Sequence, residues 1–559
     1  MDPSGPGSHS CSEGSRAPYA SGPDDYDVVV IGGAFAAASA AQLMRRLCPD
    51  RRVLVVERQA KHGRKVGEAT VETSGMFITR VLGLYQYMVT HQLPKHGLRY
   101  WFSDRPGRGL DEISEVGPYK VSALPSFQLD RAKLDEKILE TAVEAGAELA
   151  RPAKVTAIEF GWPQTRLTVE GPDGKREVRA RWVIDGSGRQ TFIGRRLGLV
   201  EKVARHPTAA VWARYKNVAD MDSPAILGND PQQPRLTPLQ AARRLATNHF
   251  CGYGYWIWVI PLEGGDTSVG IVYDRRLFEW PTEGRLLERF EHFVRTQVSG
   301  LDELLAPATI DADDFLAYQS LPYRCSQYMG RGWGLVGDAG SFMDPYYSPG
   351  LDHASMSVWA TVQLIRRDFS GELGETGLDA AIAKHNQEFY DSYDRWVDAL
   401  YTDKYETLGD AELTAAGFLM DTGMYYLGVV INNAADLENL RSPAFGSDVR
   451  GSRWAHWAMV AFKRRLVKLA RFRRAVGTYG KRNLGWRYYP ILFDVTRQRS
   501  IQLVREALAI WWRVEREYLA HRLLLRGKVD LSPPRPLGDD APLEERAPRV
   551  EAAIAAVAP

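Results

Sequence analysis

Apolar and polar positions along the chain fall into three successive textures. In the first, Asp27-Val28-Val29-Val30-Ile31 is an unbroken buried-strand run. It turns through Gly32-Gly33-Ala34-Phe35-Ala36-Ala37-Ala38 into a helix carrying Arg45 and Arg46, and a second strand, Val53–Val56, closes on Glu57. In the second, residues 205–325, alternation dominates: Ala209–Tyr215, Tyr253–Leu262 and Asp266–Tyr273 read as strands of a further sheet. In the third, from about residue 360 to 528, the pattern is helical and rich in Trp, Tyr and Arg.

These textures predict an α/β chain with an α+β middle region. The expected divisions are a disordered segment 1–25, a discontinuous nucleotide-binding domain 26–204 plus 326–365, a sheet-rich domain 205–325, a helical domain 366–528 and a flexible tail 529–559. The tail expectation rests on Pro533, Pro534, Pro536 and Pro542.

Composition narrows the class. The chain has 559 residues, 45% of them hydrophobic, enough to bury a large core in two or three domains. With 71 basic and 69 acidic side chains, the net charge of +2 gives no bulk attraction to nucleic acid. Cys11, Cys48, Cys251 and Cys325 lack metal-like or disulfide-like spacing, so no metal is expected, and reduced thiols fit a cytoplasmic protein. The Ser/Gly/Pro-rich start has no apolar core of a secretory signal, and no uninterrupted apolar stretch reads as long enough to span a bilayer.

The strand–turn–helix–strand unit at 27–57 is the dinucleotide-binding arrangement. Its turn would offer backbone N–H groups to a pyrophosphate, and Glu57 would accept from an adenosine ribose. Against G-x-G-x-x-G, Gly32 matches, while Ala34 and Ala37 stand in the second and third glycine places. A methyl at position 34 would crowd the phosphates.

Two further strings carry the functional reading. Residues 342–350 are Phe-Met-Asp-Pro-Tyr-Tyr-Ser-Pro-Gly, an F-x-x-P-x-x-S-x-G string that follows Gly337-Asp338 at the end of a short apolar strand, with a helix expected from near Leu351. Residues 256–261 match W-x-W-x-I-P; taken alone, two Trp at period two are more often a sheet core. Together the strings resemble the flavin-dependent halogenases, in the phenol and pyrrole branch, within the aromatic hydroxylase-like FAD monooxygenases.

The resemblance implies a Rossmann-like FAD domain of the aromatic hydroxylase type and a mixed sheet over the flavin. It implies reduced FAD (FADH2) delivered by a separate NAD(P)H-flavin reductase, with O2 and chloride or bromide as co-substrates. Cofactor contacts would come from Gly32, Ala34, Ala37, Glu57, Lys65, Val66, Arg131, Asp185, Gly186, Asp338, Pro345 and Gly350, with Arg64 sharing the task of Lys65. For Arg131 an ion pair with Asp135 at helical spacing is an equal alternative. Halide would sit at Ser348, Gly350 and Leu351, and Trp256, Trp258, Ile260 and Pro261 would partition flavin from substrate.

A catalytic lysine is implied a little after a V-G-E-A-T segment. Here that segment is Val66–Thr70 and the lysine is Lys95, whose ordinary fate would be an exposed loop. It would relay hypohalous acid to the substrate. The Thr73-Ser74 pair, and a tyrosine (Tyr347) where tryptophan halogenases carry glutamate, argue for a phenolic or pyrrolic ring, free or tethered to an acyl or peptidyl carrier protein. Antibiotic or other secondary-metabolite biosynthesis is the implied setting.

A hydroxylase or oxidase on the same scaffold is the rival enzyme reading, and a non-catalytic scaffold is a third. The many Arg and Lys among Trp and Tyr in 454–528 read first as a solvated helical face, and otherwise as a docking surface for an acidic partner or an anionic membrane.

Overall fold

The computed structural model describes residues 17–227, 241–281, 283–446, 451–492, 494–524 and 531–533. The strand Asp25–Ile31 runs parallel to Val53–Val56 on one side and to Gly174–Asp185 on the other, Val29 standing opposite both Leu54 and Val183. Trp333–Leu335 and Glu148–Ala150 extend this parallel sheet outward, and the antiparallel edge strand Met329–Gly330 with the antiparallel pair Lys154–Glu159 and Thr165–Gly171 completes eight strands. All seven residues of Asp25–Ile31 are buried because both faces are covered. Val28 and Val30 pack under the helices Phe35–Leu47, Arg131–Glu144 and Gly350–Phe369, while Val29 and Ile31 pack against Val155, Leu167 and Val178.

The second sheet also has eight strands, in the order Thr309–Tyr318, Thr208–Lys216, Thr267–Asp274, Tyr255–Pro261, Thr247–Gly252, Leu98–Phe102, Ser114–Val116 and Arg487–Tyr488. The expected division of the chain is therefore corrected. Leu98–Phe102 and Ser114–Val116, assigned to the nucleotide domain by sequence order, pair into the second sheet, and Arg487–Tyr488 from the helical region closes its edge. Period-two alternation holds: Trp256, Trp258 and Ile260 face one core with Tyr100 and Trp212, and Ile257 and Val259 face another with Phe290 and Leu301.

The helical region comprises Glu375–Trp396, Ala411–Tyr425, Ser452–Ala475 and Arg497–Leu524, with shorter turns between. Ala411–Tyr425 starts on Asp410, whose carboxylate accepts from the N–H groups of Glu412 and Leu413. The continuous run Ala411–Ala435 is long and apolar enough to cross a bilayer by length and composition, contrary to the expectation of none. It is a core helix in position, with 61% of its apolar window buried.

Two more expectations change. Residues 17–25 are not free: Tyr19 N–H donates to Asp27 at 2.8 Å, and Ser21 Oγ donates to Asp25 at 3.0 Å. Residues 1–16, and the tail apart from 531–533, lie outside the described residues.

Candidate active site

Two cavities meet where the parallel sheet, the second sheet and the helical region converge. The larger, about 530 Å³, is lined by Gly32–Ala36, Glu57, Lys65–Ala69, Arg131, Gly186–Gln190, Trp256, Trp258, Ile260, Asp338, Phe342–Pro345 and Ser348–Leu351. At its floor the helix Phe35–Leu47 begins on Ala34 without a side-chain cap, so its first N–H groups open into the cleft. Gly32 has φ +98°, and a Cβ there would stand 2.8 Å from the Gly186 carbonyl, so the turn has no room for a side chain. Glu57 accepts from Gly33 N–H at 2.7 Å, which fixes the acid at the end of the second strand beside the turn.

Ala37 does not reach the cleft. It packs under Gly186, where a Cβ would lie 2.6 Å from the Ala37 Cβ, so a small residue is needed here for helix–strand contact and not for cofactor contact. Asp185 is corrected likewise. Its carboxylate turns into its own loop, accepting from Ser187 N–H at 2.9 Å and Ile193 N–H at 2.7 Å, and leaves Gly186 and Ser187 to line the cleft.

Arg131 makes the ion pair with Asp135 and also lines the cleft. It donates to Asp135 at 3.1 Å, and from the cleft wall to the carbonyls of Val66 and Gly67. Lys65 pairs with the same Asp135 at 2.7 Å and also lines the cleft. Arg64 points elsewhere, bridging Asp266 and Asp311 on the surface. Asp338 enters the cleft from a short 3-10 turn; burial raises its carboxyl pKa, opposed by Arg189, Arg131 and Lys65.

The turn before the helix Gly350–Phe369 is held from outside. Asp344 accepts from His206 at 2.7 Å, from Tyr405 OH at 2.7 Å and from Tyr346 N–H at 2.9 Å, tying the turn to the helical region. Strain lies at Tyr347 (φ 77°) and Ser348 (φ 59°), both in the left-handed region that non-glycine residues avoid. Gly350 itself is unstrained: its φ is not positive, and a Cβ there meets nothing within 4 Å. Pro345, Ser348, Gly350 and Leu351 all line the cleft.

Trp256 and Trp258 roof this cleft, their indole N–H groups donating to Tyr405 OH at 2.8 Å and Ser268 Oγ at 3.0 Å. Pro261 lies at the strand end and is not among the residues lining either cavity. The boundary between the cavities runs elsewhere, through Pro349, which lines both.

The second cavity, about 270 Å³, is lined by Val71, Glu72, Lys95, Tyr347, Asp352, Phe418, Asp421 and Tyr425, among others. Two chain segments run from one cavity into the other: 65–69 to 71–72, and 348–351 to 352. Lys95 is only 3% exposed, and its ammonium donates to the Thr70 carbonyl at 2.7 Å. Burial holds its pKa down to about 8, with Glu72 and Asp352 pulling the other way. Burial pushes the Asp352 carboxyl up to about 6, although Tyr425 OH donates to it at 2.7 Å and Ser74 N–H at 2.8 Å. Glu72 accepts from Tyr426 OH at 2.8 Å. Glu68, between the cavities, pairs with Arg214 of the second sheet at 2.6 Å and pins the segment leading to Thr70.

Asp344, Asp352, Glu72 and Arg189 have no place in the sequence reading. Asp344 and Asp352 lie in or next to the recognised turn and could have been suspected there. Glu72 and Arg189 become visible only when distant segments converge; Arg189 lies over the rings of Tyr318, Tyr323 and Phe342 at the cleft wall.

A parallel-sheet nucleotide cleft with an uncapped helix start, roofed by a second sheet, is the architecture of FAD-binding proteins of the aromatic hydroxylase type. The FAD binding domain family matches residues 25–236. The chain is similar in sequence to several flavin-dependent halogenases. It is 26% identical over 443 residues to the flavin-dependent halogenase chlA of Dictyostelium discoideum, covering 72% of this chain and 69% of that protein. It is 28% identical over 349 residues to the 1H-pyrrole-2-carbonyl-(peptidyl-carrier protein) chlorinase of Pseudomonas fluorescens, covering 59% of this chain and 73% of that one. The crystal structure of halogenase PltM shares the fold, with a TM-score of 0.63 at 18% identity over 88% of this chain and 98% of that chain.

Proposed function

We propose that the protein halogenates an electron-rich phenolic or pyrrolic ring, using O2, chloride or bromide, and FAD reduced by a separate NAD(P)H-flavin reductase. The observation that carries this reading is Lys95, a buried ammonium on the wall of a second cavity that adjoins the flavin cleft at Pro349. A hydroxylating enzyme has no need of a lysine in a second chamber.

FAD fits the larger cleft. The uncapped start of Phe35–Leu47 would take its pyrophosphate, Glu57 its ribose, and Asp338 its flavin-side hydroxyls. Bound in reduced form it would supply the O2 chemistry that converts halide into hypohalous acid. Ser348, Gly350 and Leu351, at the start of a 20-residue helix, would hold the halide beside it.

Lys95 then donates a hydrogen bond to the oxygen of the hypohalous acid. As the ring carbon forms its bond to halogen and the halogen–oxygen bond breaks, the ammonium proton goes to the departing oxygen, which leaves as water. Glu72 and Asp352 line the same cavity and would take the ring proton, from which Lys95 is recharged. The step consumes one ring C–H and one hypohalous acid and yields one carbon–halogen bond and one water. The pyrrole chlorinase relative acts on a carrier-tethered substrate by its name, which favours a tethered ring here as well.

The test is to supply the FAD-loaded protein with a flavin reductase, NADH, bromide and a panel of phenols and pyrroles, free and carrier-linked. A bromine isotope pattern in the product supports the reading. A gain of oxygen without halogen overturns it in favour of a hydroxylase.

A further inference from the structure

The helices Ser452–Ala475 and Arg497–Leu524 leave an unusual outer face. On the first, the exposed line is Trp454, Trp457, Ala461, Arg464 and Lys468, with Trp454 68% and Trp457 66% exposed. On the second it is Ile501, Leu508, Trp512, Leu519 and Leu523, with Trp512 50% and Leu523 75% exposed. Arg505 and Arg516 fall on the same line.

The two lines point the same way. Phe462 meets Trp511, Arg465 pairs with Glu515, and Phe472 meets His521, pairs that advance in the same direction along both sequences and so make the helices parallel neighbours. At about 100° per residue, the exposed line lies before the contact line on the first helix and after it on the second. For two parallel helices side by side, that rotation brings both lines to one side, so they form a single surface.

This surface is cationic as well as apolar. Ser452–Ala475 contains no acidic residue; of its eight Arg and Lys, Lys463 and Arg473 are buried, Arg465 and Arg471 pair with Glu515 and Glu406, and Arg464 and Lys468 stand on the exposed line. The acids of Arg497–Leu524 are engaged away from the exposed line: Glu515 with Arg465, Glu517 with Arg473 and Lys481, and Glu506 with Tyr488.

We infer that this face binds the surface of an anionic lipid bilayer. Trp and Leu side chains seated at the headgroup boundary beside Arg and Lys are what such a surface recognises. A second copy of the chain is disfavoured, because a twofold contact would set the same cationic face against itself. A carrier protein is disfavoured by direction. Ser452, Ala455 and Met459 line the second cavity, and each lies two residues, about 200°, around the helix from Trp454 or Trp457. The outer face is thus turned away from the chamber that a tethered substrate must enter.

The test is sedimentation of the full-length FAD-loaded protein with phosphatidylcholine vesicles, with and without phosphatidylglycerol, across a salt series. Binding to the anionic vesicles that weakens with salt, with a tryptophan emission blue shift, is expected. Arg464→Gln and Lys468→Gln should each lower partitioning about fivefold, and Trp457→Ala with Trp512→Ala should abolish the blue shift, while flavin content and circular dichroism stay unchanged. No anionic-vesicle binding, or binding indifferent to all these substitutions, overturns the inference. So does a dimer, or a complex with phosphopantetheinylated carrier protein, that the same substitutions disrupt in place of vesicle binding. Because halogenation is not the readout, failure here is separable from failure of the proposed reaction.

Discussion

Replacing Lys95 with Met should abolish halogenation and at the same time change how folding stability depends on pH. The amine titrates near 10.5 in an unfolded chain and is held to about 8 in the folded one, a charge-burial cost of about 3 kcal/mol. Between those values the unfolded state binds more protons, so the wild type gains stability as pH rises from about 8 towards 10.5, and the penalty is fully present below 8. Met keeps most of the volume and removes the charge, but leaves the Thr70 carbonyl without its donor, a loss of about 1–3 kcal/mol.

The two effects nearly offset at neutral pH, where the variant should match or slightly exceed the wild type. The informative quantity is the slope. Between about pH 7 and about pH 9.5 the wild type should gain about 2 kcal/mol on the variant. Urea unfolding of both proteins across that range, alongside a halogenation assay, measures it. A stability difference that does not move with pH would show that the Lys95 ammonium is not desolvated, and near-normal turnover by the variant would remove Lys95 from the chemistry.

The halogenation rate itself should fall above about pH 8 as Lys95 loses its proton, and below about pH 6 as Asp352 gains one; a kcat/KM profile flat across both limbs would contradict the proposed donor and acceptor. Asp338→Ala should weaken FAD binding by about 1.5–3 kcal/mol, read by flavin fluorescence titration, and an unchanged Kd would place Asp338 off the cofactor. Ser348→Gly should relieve the left-handed backbone at φ 59° and raise stability by about 1 kcal/mol, while raising the halide KM and releasing hydrogen peroxide; unchanged halide dependence and coupling would remove Ser348 from the halide site.

Much of this was legible without coordinates, because its signals are local. The run Val28–Ile31, the turn at Gly32 and Glu57 specify a strand–helix–strand unit through nearest-neighbour periodicity and backbone freedom. The strings at 256–261 and 342–350 mark a roof strand and a turn for the same reason. What the sequence could not decide depends on long-range convergence. Lys95 is singled out by its sequence context, but its burial depends on residues 418–459 folding over it, and that desolvation lowers its pKa against the pull of Glu72 and Asp352. Leu98–Phe102 joins the second sheet because its edge partner, Thr247–Gly252, lies about 150 residues away. Ala37 and Asp185 fit a cofactor motif by position yet serve packing and loop closure, since only the tertiary arrangement shows which way a side chain points. The backbone strain sits at Tyr347 and Ser348, where hydrogen bonds to Asp344 from His206, beside the second sheet, and Tyr405, in the helical region, hold the neighbouring turn in place.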